Sequence, residues 1–122
     1  NNLMHNFKKL NIWLECIDLV KEFYALTRTF PDFEKFGLTS QMNRCAVSIP
    51  SNISEGTSKS TNRHYNAYLE NSLGSAFELE TQLIVAFNQN YLSEEKFKEL
   101  EIKINYLQKM ISRFKSGLSE KS

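Results

Sequence analysis

The last third of the sequence carries an apolar repeat that restricts the fold more than any other feature. Its apolar residues alternate spacings of three and four, at Phe97, Leu100, Ile104, Leu107, Ile111, Phe114 and Leu118. This spacing places them on one face of an α-helix, because residues three or four apart are neighbours on a helix surface. A helix with one long apolar face must bury it against other elements, so the repeat predicts a helical bundle.

The remaining sequence supplies partners for that helix. Helical spacing of apolar residues predicts four helices in all, at about residues 7–27, 39–56, 62–90 and 93–117. Four helices with short connections are typical of an antiparallel up-down-up-down bundle. We therefore predict an all-α four-helix bundle over residues 4–118, with disordered tails at 1–3 and 119–122.

The first predicted helix has more apolar surface than a single contact within a bundle requires. One apolar stripe consists of Leu10, Trp13, Leu14, Ile17, Val20 and Tyr24. A second, about 120° around the helix, consists of Ile12, Cys16, Leu19, Phe23 and Leu26. One stripe can pack in the core while the other contacts a neighbour, either inside the bundle or in a second subunit. We assign the second stripe to an oligomer interface.

The connection after the first helix is too apolar for a solvated linker. It contains Phe30, Phe33, Phe36 and Leu38. Pro31 suits the first turn of a helix and Gly37 suits a helix end. We expect a single helical turn folded back on the end of the bundle. Thr39 or Ser40 is the expected N-cap of the next helix.

The second predicted helix contains a proline among small polar residues. Pro50 lacks the N–H that would bond the carbonyl four residues earlier, and a proline inside a helix costs about 3 kcal/mol. Small side chains beside it let another backbone approach closely. We expect Gly74 to pack there, because glycine inside a helix costs about 1 kcal/mol relative to alanine. The proposed structural motif comprises Ser48, Pro50, Asn52, Glu55, Gly56 and Gly74.

Composition and cysteine content favour a cytoplasmic protein. The chain is 41% hydrophobic and 24% charged, and no apolar run approaches the roughly 20 residues of a membrane helix. The sequence shows no signal peptide pattern. Cys16 and Cys45 lie among apolar residues, and we expect them to be buried free thiols in a reducing compartment.

The residue types that catalysis or metal binding requires are sparse. The chain has two histidines, and neither lies in a Glu-x-x-His pair of the kind that di-iron bundles use. No glycine-rich phosphate loop is present, and no serine has a recognisable base. We therefore predict a protein that is not an enzyme and that uses no metal or cofactor.

Charge distribution carries more information than the net charge of +1. In the predicted bundle, one end collects seven cations: Lys8, Lys9, Lys59, Arg63, Lys109, Arg113 and Lys115. Some of these cations can simply offset a helix dipole. Five of them, with Arg44 as a weaker sixth, are our candidate phosphate contacts: Lys8, Lys9, Lys59, Arg63 and Arg113.

Several segments also carry a family resemblance. They are Phe7, Leu10, Trp13, Tyr24, Thr27, Gln41, Arg44 and residues 30–31, 36–38, 48–56, 73–80, 82–83 and 91–92. In these segments the chain resembles the bacterial four-helix bundle family encoded in intervening sequences of 23S ribosomal RNA genes. The resemblance implies an up-down bundle that assembles into a ring of five subunits. It implies no biochemical function, because none is established for the family.

Related proteins and departures from the family pattern bear on nucleic-acid binding. A related group, the accessory proteins of diversity-generating retroelements, binds nucleic acid and a reverse transcriptase and is far more basic. This chain has Asn43-Arg44 where the family usually has two basic residues, and Cys45-Ala46 where it usually has two alanines. The connection after Gly56 is also less positive than is usual. Fewer cations mean weaker non-specific binding, because affinity follows the number of phosphates neutralised.

Two functions remain open from the sequence. The first is a non-enzymatic ring-forming homo-oligomer, a pentamer, that contacts RNA or a ribonucleoprotein through its basic end. The alternative is a protein-interaction or scaffold module without nucleic-acid binding. In that case the outer apolar stripe or the small-residue groove around Asn52 would receive a protein partner.

Overall fold

The computed structural model describes residues 6–121. Within them lie four α-helices and no strand: α1 (Asn11–Thr27), α2 (Leu38–Thr57), α3 (Asn62–Asn88) and α4 (Glu94–Lys121). Two short 3-10 turns, Phe7–Lys9 and Asp32–Glu34, precede α1 and α2. The fold is all-helical, as the sequence predicts.

Several predicted boundaries differ from the observed ones. The first helix begins at Asn11 because Leu10 has extended backbone angles (φ −74°, ψ 127°) that separate it from the preceding 3-10 turn. Helix α4 continues to Lys121, so its end covers most of the segment predicted as a disordered tail. The other predicted tail, residues 1–3, lies outside the described residues.

The apolar repeat of α4 lies at the centre of the core. Leu100, Ile104, Leu107 and Ile111 are all at most 2% exposed. Phe97, Phe114 and Leu118 are partly buried against the same cluster. Burial of a large apolar side chain stabilises the folded state by roughly 1.5–3 kcal/mol relative to exposure. The repeat therefore contributes a large part of the hydrophobic stabilisation.

The apolar stripe of α1 that was assigned to an oligomer interface lies in the core instead. The proposed interface residues are no more than 7% exposed and pack in the core of the chain itself: Ile12, Cys16, Leu19, Phe23 and Leu26. In the other stripe, Leu14 is 45% exposed and Ile17 is 40% exposed. The interface assignment was wrong, because residues enclosed by their own bundle cannot contact a second subunit.

Of the three phenylalanines in the connection between α1 and α2, one is buried and two are exposed. Phe30 is buried, but Phe33 and Phe36 are 78% and 90% exposed. Polar contacts hold the turn instead, since the Glu34 carboxylate accepts hydrogen bonds from the Leu38 N–H (3.0 Å) and the Tyr91 hydroxyl (2.7 Å). The predicted single helical turn is present at Asp32–Glu34, and the Phe33 ring meets the edge of Tyr91 (6.5 Å between centroids), but Phe33 and Phe36 remain largely exposed.

The start of α2 also differs from the predicted cap. Gly37 occupies the N-cap position and supplies no side chain. The Glu34 carboxylate, four residues before Leu38, bonds the first N–H of the helix in its place. Neither Thr39 nor Ser40 is the N-cap, since both lie inside α2.

Helix α2 runs through Pro50 without interruption. Side chains on both sides of the proline donate hydrogen bonds to carbonyl oxygens that precede it. The Ser48 hydroxyl donates to the Cys45 carbonyl (2.6 Å), and the Asn52 amide donates to the Ser48 carbonyl (2.8 Å). These small polar residues supply hydrogen bonds where proline weakens the helical pattern.

Close packing between α2 and α3 involves Ser72 and Gly56. The buried Ser72 hydroxyl donates to the Ile49 carbonyl oxygen at 2.8 Å. A Cβ atom at Gly56 would lie 2.8 Å from Cδ1 of Tyr65, so a side chain does not fit there. Gly74 is exposed, and a Cβ atom there would meet nothing within 4 Å. The prediction that Gly74 packs against the small residues of α2 was therefore wrong.

Aromatic contacts show which parts of α3 and α4 meet. The ring of Phe97 stacks on that of Phe87 (4.5 Å between centroids), whereas Phe114 meets Tyr65 (5.7 Å). Early residues of α4 thus contact late residues of α3, and late residues of α4 contact early residues of α3. An ion pair also joins α4 to α1, where Lys103 Nζ lies 2.7 Å from a Glu22 carboxylate oxygen.

Candidate nucleic-acid interface

Five of the six candidate phosphate contacts lie on elements that meet one another. Lys8 and Lys9 belong to the first 3-10 turn, Lys59 to the α2–α3 connection, Arg63 to the start of α3 and Arg113 to the last third of α4. Contacts join these elements: Phe7 and Ser54 line one groove, and Tyr65 packs on Phe114. We call the five cations Lys8, Lys9, Lys59, Arg63 and Arg113 the basic end.

The cations of the basic end are available to a ligand. Lys8, Lys9, Arg63 and Arg113 are exposed. Lys59 is half-buried, with its Nζ 4.8 Å from the centroid of the Tyr68 ring, a cation–π geometry. Between residues 6 and 121, none of the five forms an ion pair with a carboxylate. No carboxylate in the described residues therefore neutralises their charge through an ion pair.

Several other cations of the bundle are paired, including Lys115 near the basic end, whose Nζ lies 3.7 Å from a Glu70 carboxylate oxygen. Lys96 lies 3.2 Å from Glu99, Lys98 lies 3.0 Å from Glu94, and Lys103 bridges α4 to Glu22 of α1. The hydrogen bond from Lys96 lowers the pKa of Glu99, and the hydrogen bond to Glu22 raises the pKa of Lys103. Near the start of α4, lysines and carboxylates therefore balance each other locally.

Arg44 does not belong to the basic end. It lies 13 residues before Thr57 in α2, a distance of about 20 Å along the helix. It lines a separate groove between α2 and α3, with a volume of about 520 Å³. We call this the α2–α3 groove. The sequence could not show it, because spacing alone does not reveal where two helices leave a gap.

The α2–α3 groove contains polar groups from both helices and one aromatic ring. Phe36, Arg44, Glu78 and Gln82 all line it. Gln82 is only 8% exposed, and its Nε2 lies 3.5 Å from Glu78 Oε2, at the limit of a hydrogen bond. The Gln82 Oε1 atom is buried and has no hydrogen-bond partner within the described part of the chain. Such an acceptor costs roughly 1–3 kcal/mol unless a donor reaches it.

Two further grooves are more apolar. One, of about 290 Å³, lies between α1 and α4 and is lined by Leu19, Ile102 and Tyr106, with Glu15 and Asp18 along one wall. The other, of about 200 Å³, lies between α1 and α2. Its lining is largely apolar: Phe7, Trp13, Ile17, Val20, Val47 and Pro50, with Ser51 and Ser54.

The thiols have no reactive environment. Cys16 and Cys45 are both free and buried, as the sequence predicts. Burial raises the pKa of the Cys45 thiol to about 12, and the nearby Glu78 carboxylate adds to this effect. Burial likewise raises the pKa of Cys16. Both thiols stay protonated at neutral pH, whereas nucleophilic cysteines require the thiolate.

Comparison with known proteins identifies the family. Residues 8–113 match the family described as 23S rRNA-intervening sequence protein. The chain belongs to this family. The match includes all six candidate phosphate contacts, because Lys8 is its first residue and Arg113 is its last. No curated protein matches the chain.

A solved structure supports the fold of this family member. It is a protein of unknown function from the S23 ribosomal protein family of Bacteroides thetaiotaomicron VPI-5482, determined at 1.70 Å resolution. The two structures superpose with a TM-score of 0.79 at 18% identity, over 85% of this chain and 97% of the other. The likeness shows a shared fold. In the described residues, no helix is both long enough and apolar enough to span a membrane.

Proposed function

We propose that this protein is a non-enzymatic, self-associating helical bundle that binds RNA or a ribonucleoprotein through its basic end. One observation carries the proposal: the basic end exposes cations that have no carboxylate partner in the described residues, while lysines near the start of α4 are paired. When unpaired cations contact phosphates, they displace the counterions condensed on the nucleic acid, and this release drives non-specific binding.

The proposal requires neighbouring helices to run in opposite directions, so that the basic elements share one end. Contact pairs support that arrangement for α2 and α3, where Ile49 meets Ser72 and Gly56 meets Tyr65. As the residue number rises in α2, it falls in α3. The pairs between α3 and α4 follow the same rule.

Self-association is proposed through the outer stripe of α1 rather than the inner one. Leu14 and Ile17 are exposed, and Val47 of α2 is exposed beside the apolar groove that Ile17 lines. A second copy would cover this surface and remove it from water, which is favourable by about 25 cal/mol per Å² of apolar area. The family resemblance suggests a ring of five copies. A ring would repeat the basic end around its axis and strengthen its attraction to RNA.

A binding assay tests the RNA proposal. Fluorescence anisotropy with a labelled single-stranded RNA at low salt should show saturable binding. Changing Lys8, Lys9 and Arg63 to Glu should weaken binding strongly, because three attractions become repulsions. Changing Lys21, Lys96 and Lys98 to Glu alters the net charge equally and serves as the control. Unchanged anisotropy with excess wild-type protein would contradict the proposal.

A protein-interaction role without RNA is the second candidate. Ile102 and Tyr106 are exposed beside the α1–α4 groove, whose Glu15 and Asp18 wall would suit a basic segment. A complex that persists after nuclease treatment and is lost on Tyr106→Glu would favour this function. Under either function we propose a cytoplasmic location for the protein. The likeness to retroelement accessory proteins remains a prediction from the sequence.

A further inference from the structure

From the α2–α3 groove we infer a second binding site: we propose that this groove holds an unpaired guanine base. The inference extends the proposed RNA binding by naming the base that the protein would recognise, at a place outside the basic end. It rests on three features of the groove: an exposed aromatic ring, a buried acceptor without a donor, and an arginine without an ion pair in the described residues.

Phe36 supplies a surface for stacking. Its ring is 90% exposed, on a turn that the Glu34 carboxylate holds to Leu38 and Tyr91. The Lys35 Nζ lies 5.5 Å from the ring centroid, so a cation accompanies the ring. Unpaired bases bind proteins by stacking on exposed aromatic rings. Phe36 is therefore placed as a stacking platform at the edge of the groove.

The acceptors of the groove favour a base with adjacent donors. Glu78 offers two carboxylate oxygens, and Gln82 offers an amide oxygen that no donor reaches within residues 6–121. Guanine presents N1–H and the N2 amino group side by side on its Watson–Crick edge. Uracil has a single N–H there, and adenine and cytosine each have one amino group without an adjacent N–H. A guanine in the groove would present these adjacent donors to the Glu78 carboxylate, and a turn of the Gln82 amide, whose Oε1 is enclosed in the free protein, would let that oxygen share them.

Arg44 completes the match on the other edge of the base. Arginine donates two parallel hydrogen bonds to the O6 and N7 acceptors of guanine, the commonest base-specific contact. The Arg44 guanidinium is exposed and lines the same groove as Glu78. The volume of about 520 Å³ lies in the range of small-molecule sites, roughly 300–1,000 Å³. The groove thus offers stacking, acceptors and donors in a space that a base can enter.

The test uses two RNAs and two mononucleotides. The RNAs are an oligo(U) dodecamer and the same dodecamer with one central G, compared by fluorescence anisotropy. GMP and AMP are titrated separately, and the Gln82 side-chain amide is followed by NMR. We expect tighter binding of the RNA that contains G, and a GMP-dependent shift of the Gln82 signal that AMP does not cause.

Variants show whether the groove is responsible. Phe36→Ala should reduce the binding of the RNA with G by about 5- to 150-fold, the range that stacking contributes per base, and should remove the preference for G. Phe33→Ala is the matched control, since Phe33 is also highly exposed on the same turn but does not line the groove. Gln82→Met should remove the preference without loss of stability, because it deletes a buried acceptor that has no donor in the described residues.

The outcomes separate this inference from the RNA proposal. Equal binding of both RNAs together with no GMP response would overturn the guanine site and leave RNA binding by the basic end intact. A preference for G that survives Phe36→Ala would also overturn it. A GMP response without RNA binding would support the site with a free nucleotide as its ligand, and it would contradict the RNA proposal. A preference for the RNA that contains G would identify a guanine within RNA as the ligand.

Discussion

Gly56 and Gly74 both lie inside helices, but a side chain would meet different surroundings at the two positions. At Gly56 a Cβ atom would lie 2.8 Å from Tyr65 and 3.1 Å from Tyr68 Cβ, whereas the space around Gly74 is open. Gly56→Ala should lower the free energy of unfolding by about 1–3 kcal/mol through overpacking. Gly74→Ala should raise it by up to about 1 kcal/mol through helix propensity. Urea unfolding of the two variants checks both signs, and a stabilising Gly56→Ala would contradict the close contact.

The Glu34 carboxylate links stability to pH. Hydrogen bonds from the Leu38 N–H and then the Tyr91 hydroxyl lower its pKa in the folded state. Its contribution to stability is therefore present above the unfolded pKa of about 4.3 and is lost as the pH falls through the lower folded pKa. Glu34→Gln should destabilise the protein at pH 7 and have a smaller effect at acidic pH.

A double-mutant cycle tests whether Tyr91 contributes to that effect. Tyr91→Phe should destabilise the protein in the wild-type background and should do so less when Glu34 is already Gln. Urea unfolding at pH 7 and at pH 3 measures both comparisons. Additive effects of the two substitutions at pH 7 would show that the hydrogen bond between Tyr91 and Glu34 does not couple them.

At the scale of single elements, the sequence predicted helices well and their surroundings less well. The repeat of α4 identified Leu100, Ile104, Leu107 and Ile111 as core residues, because one apolar face has only one way to be buried. Helix α1 has two apolar faces with the same helical spacing. Which face turns inward depends on the positions of α2 and α4, and helical spacing within α1 carries no information about them. The sequence interpretation therefore placed the buried stripe at an interface.

The groove between α2 and α3 was missed for a related reason. Arg44 was recognised as a candidate from its residue type alone. Its neighbours Phe36, Glu78 and Gln82 come from a turn and from a different helix. A signal that could have found them was the aromatic residue Phe36 in a connection between helices, but the sequence interpretation expected this connection to fold back on the end of the bundle.

The exposed residues of the outer stripe of α1 lead to a prediction about assembly. If the outer stripe is the interface, the double variant Leu14→Lys/Ile17→Lys should remain helical but form an assembly with fewer subunits than the wild type. Folding should persist because both side chains are exposed in the single chain. Leu19→Lys with Phe23→Lys should unfold the protein, because it places two charges in the core. Light scattering and circular dichroism distinguish these results. An unchanged mass for the first variant would rule out the outer stripe as the interface.

For the molecule as a whole, the charge distribution was predicted from the chain order. The predicted up-down connectivity places the start of α1, the α2–α3 connection and the end of α4 together, so the basic end could be proposed from residue numbers. The sequence could not show which cations are paired, because pairs such as Lys103 with Glu22 join residues that are far apart in the chain. The availability of the basic end for phosphates was visible only in the structure.

The salt dependence of RNA binding tests the central claim most directly. The variant replaces Lys8, Lys9, Arg63 and Arg113 with Gln, and the control replaces Lys21, Lys96, Lys98 and Lys103 with Gln, which changes the net charge equally. The logarithm of the binding constant K falls linearly with the logarithm of the salt concentration, and for single-stranded RNA each lost phosphate contact makes this slope shallower by about 0.7. We predict that the magnitude of the variant's slope is smaller than that of the wild type by roughly 3. The control's slope should stay close to that of the wild type. Equal slopes for the wild type and the basic-end variant would contradict phosphate binding at this end.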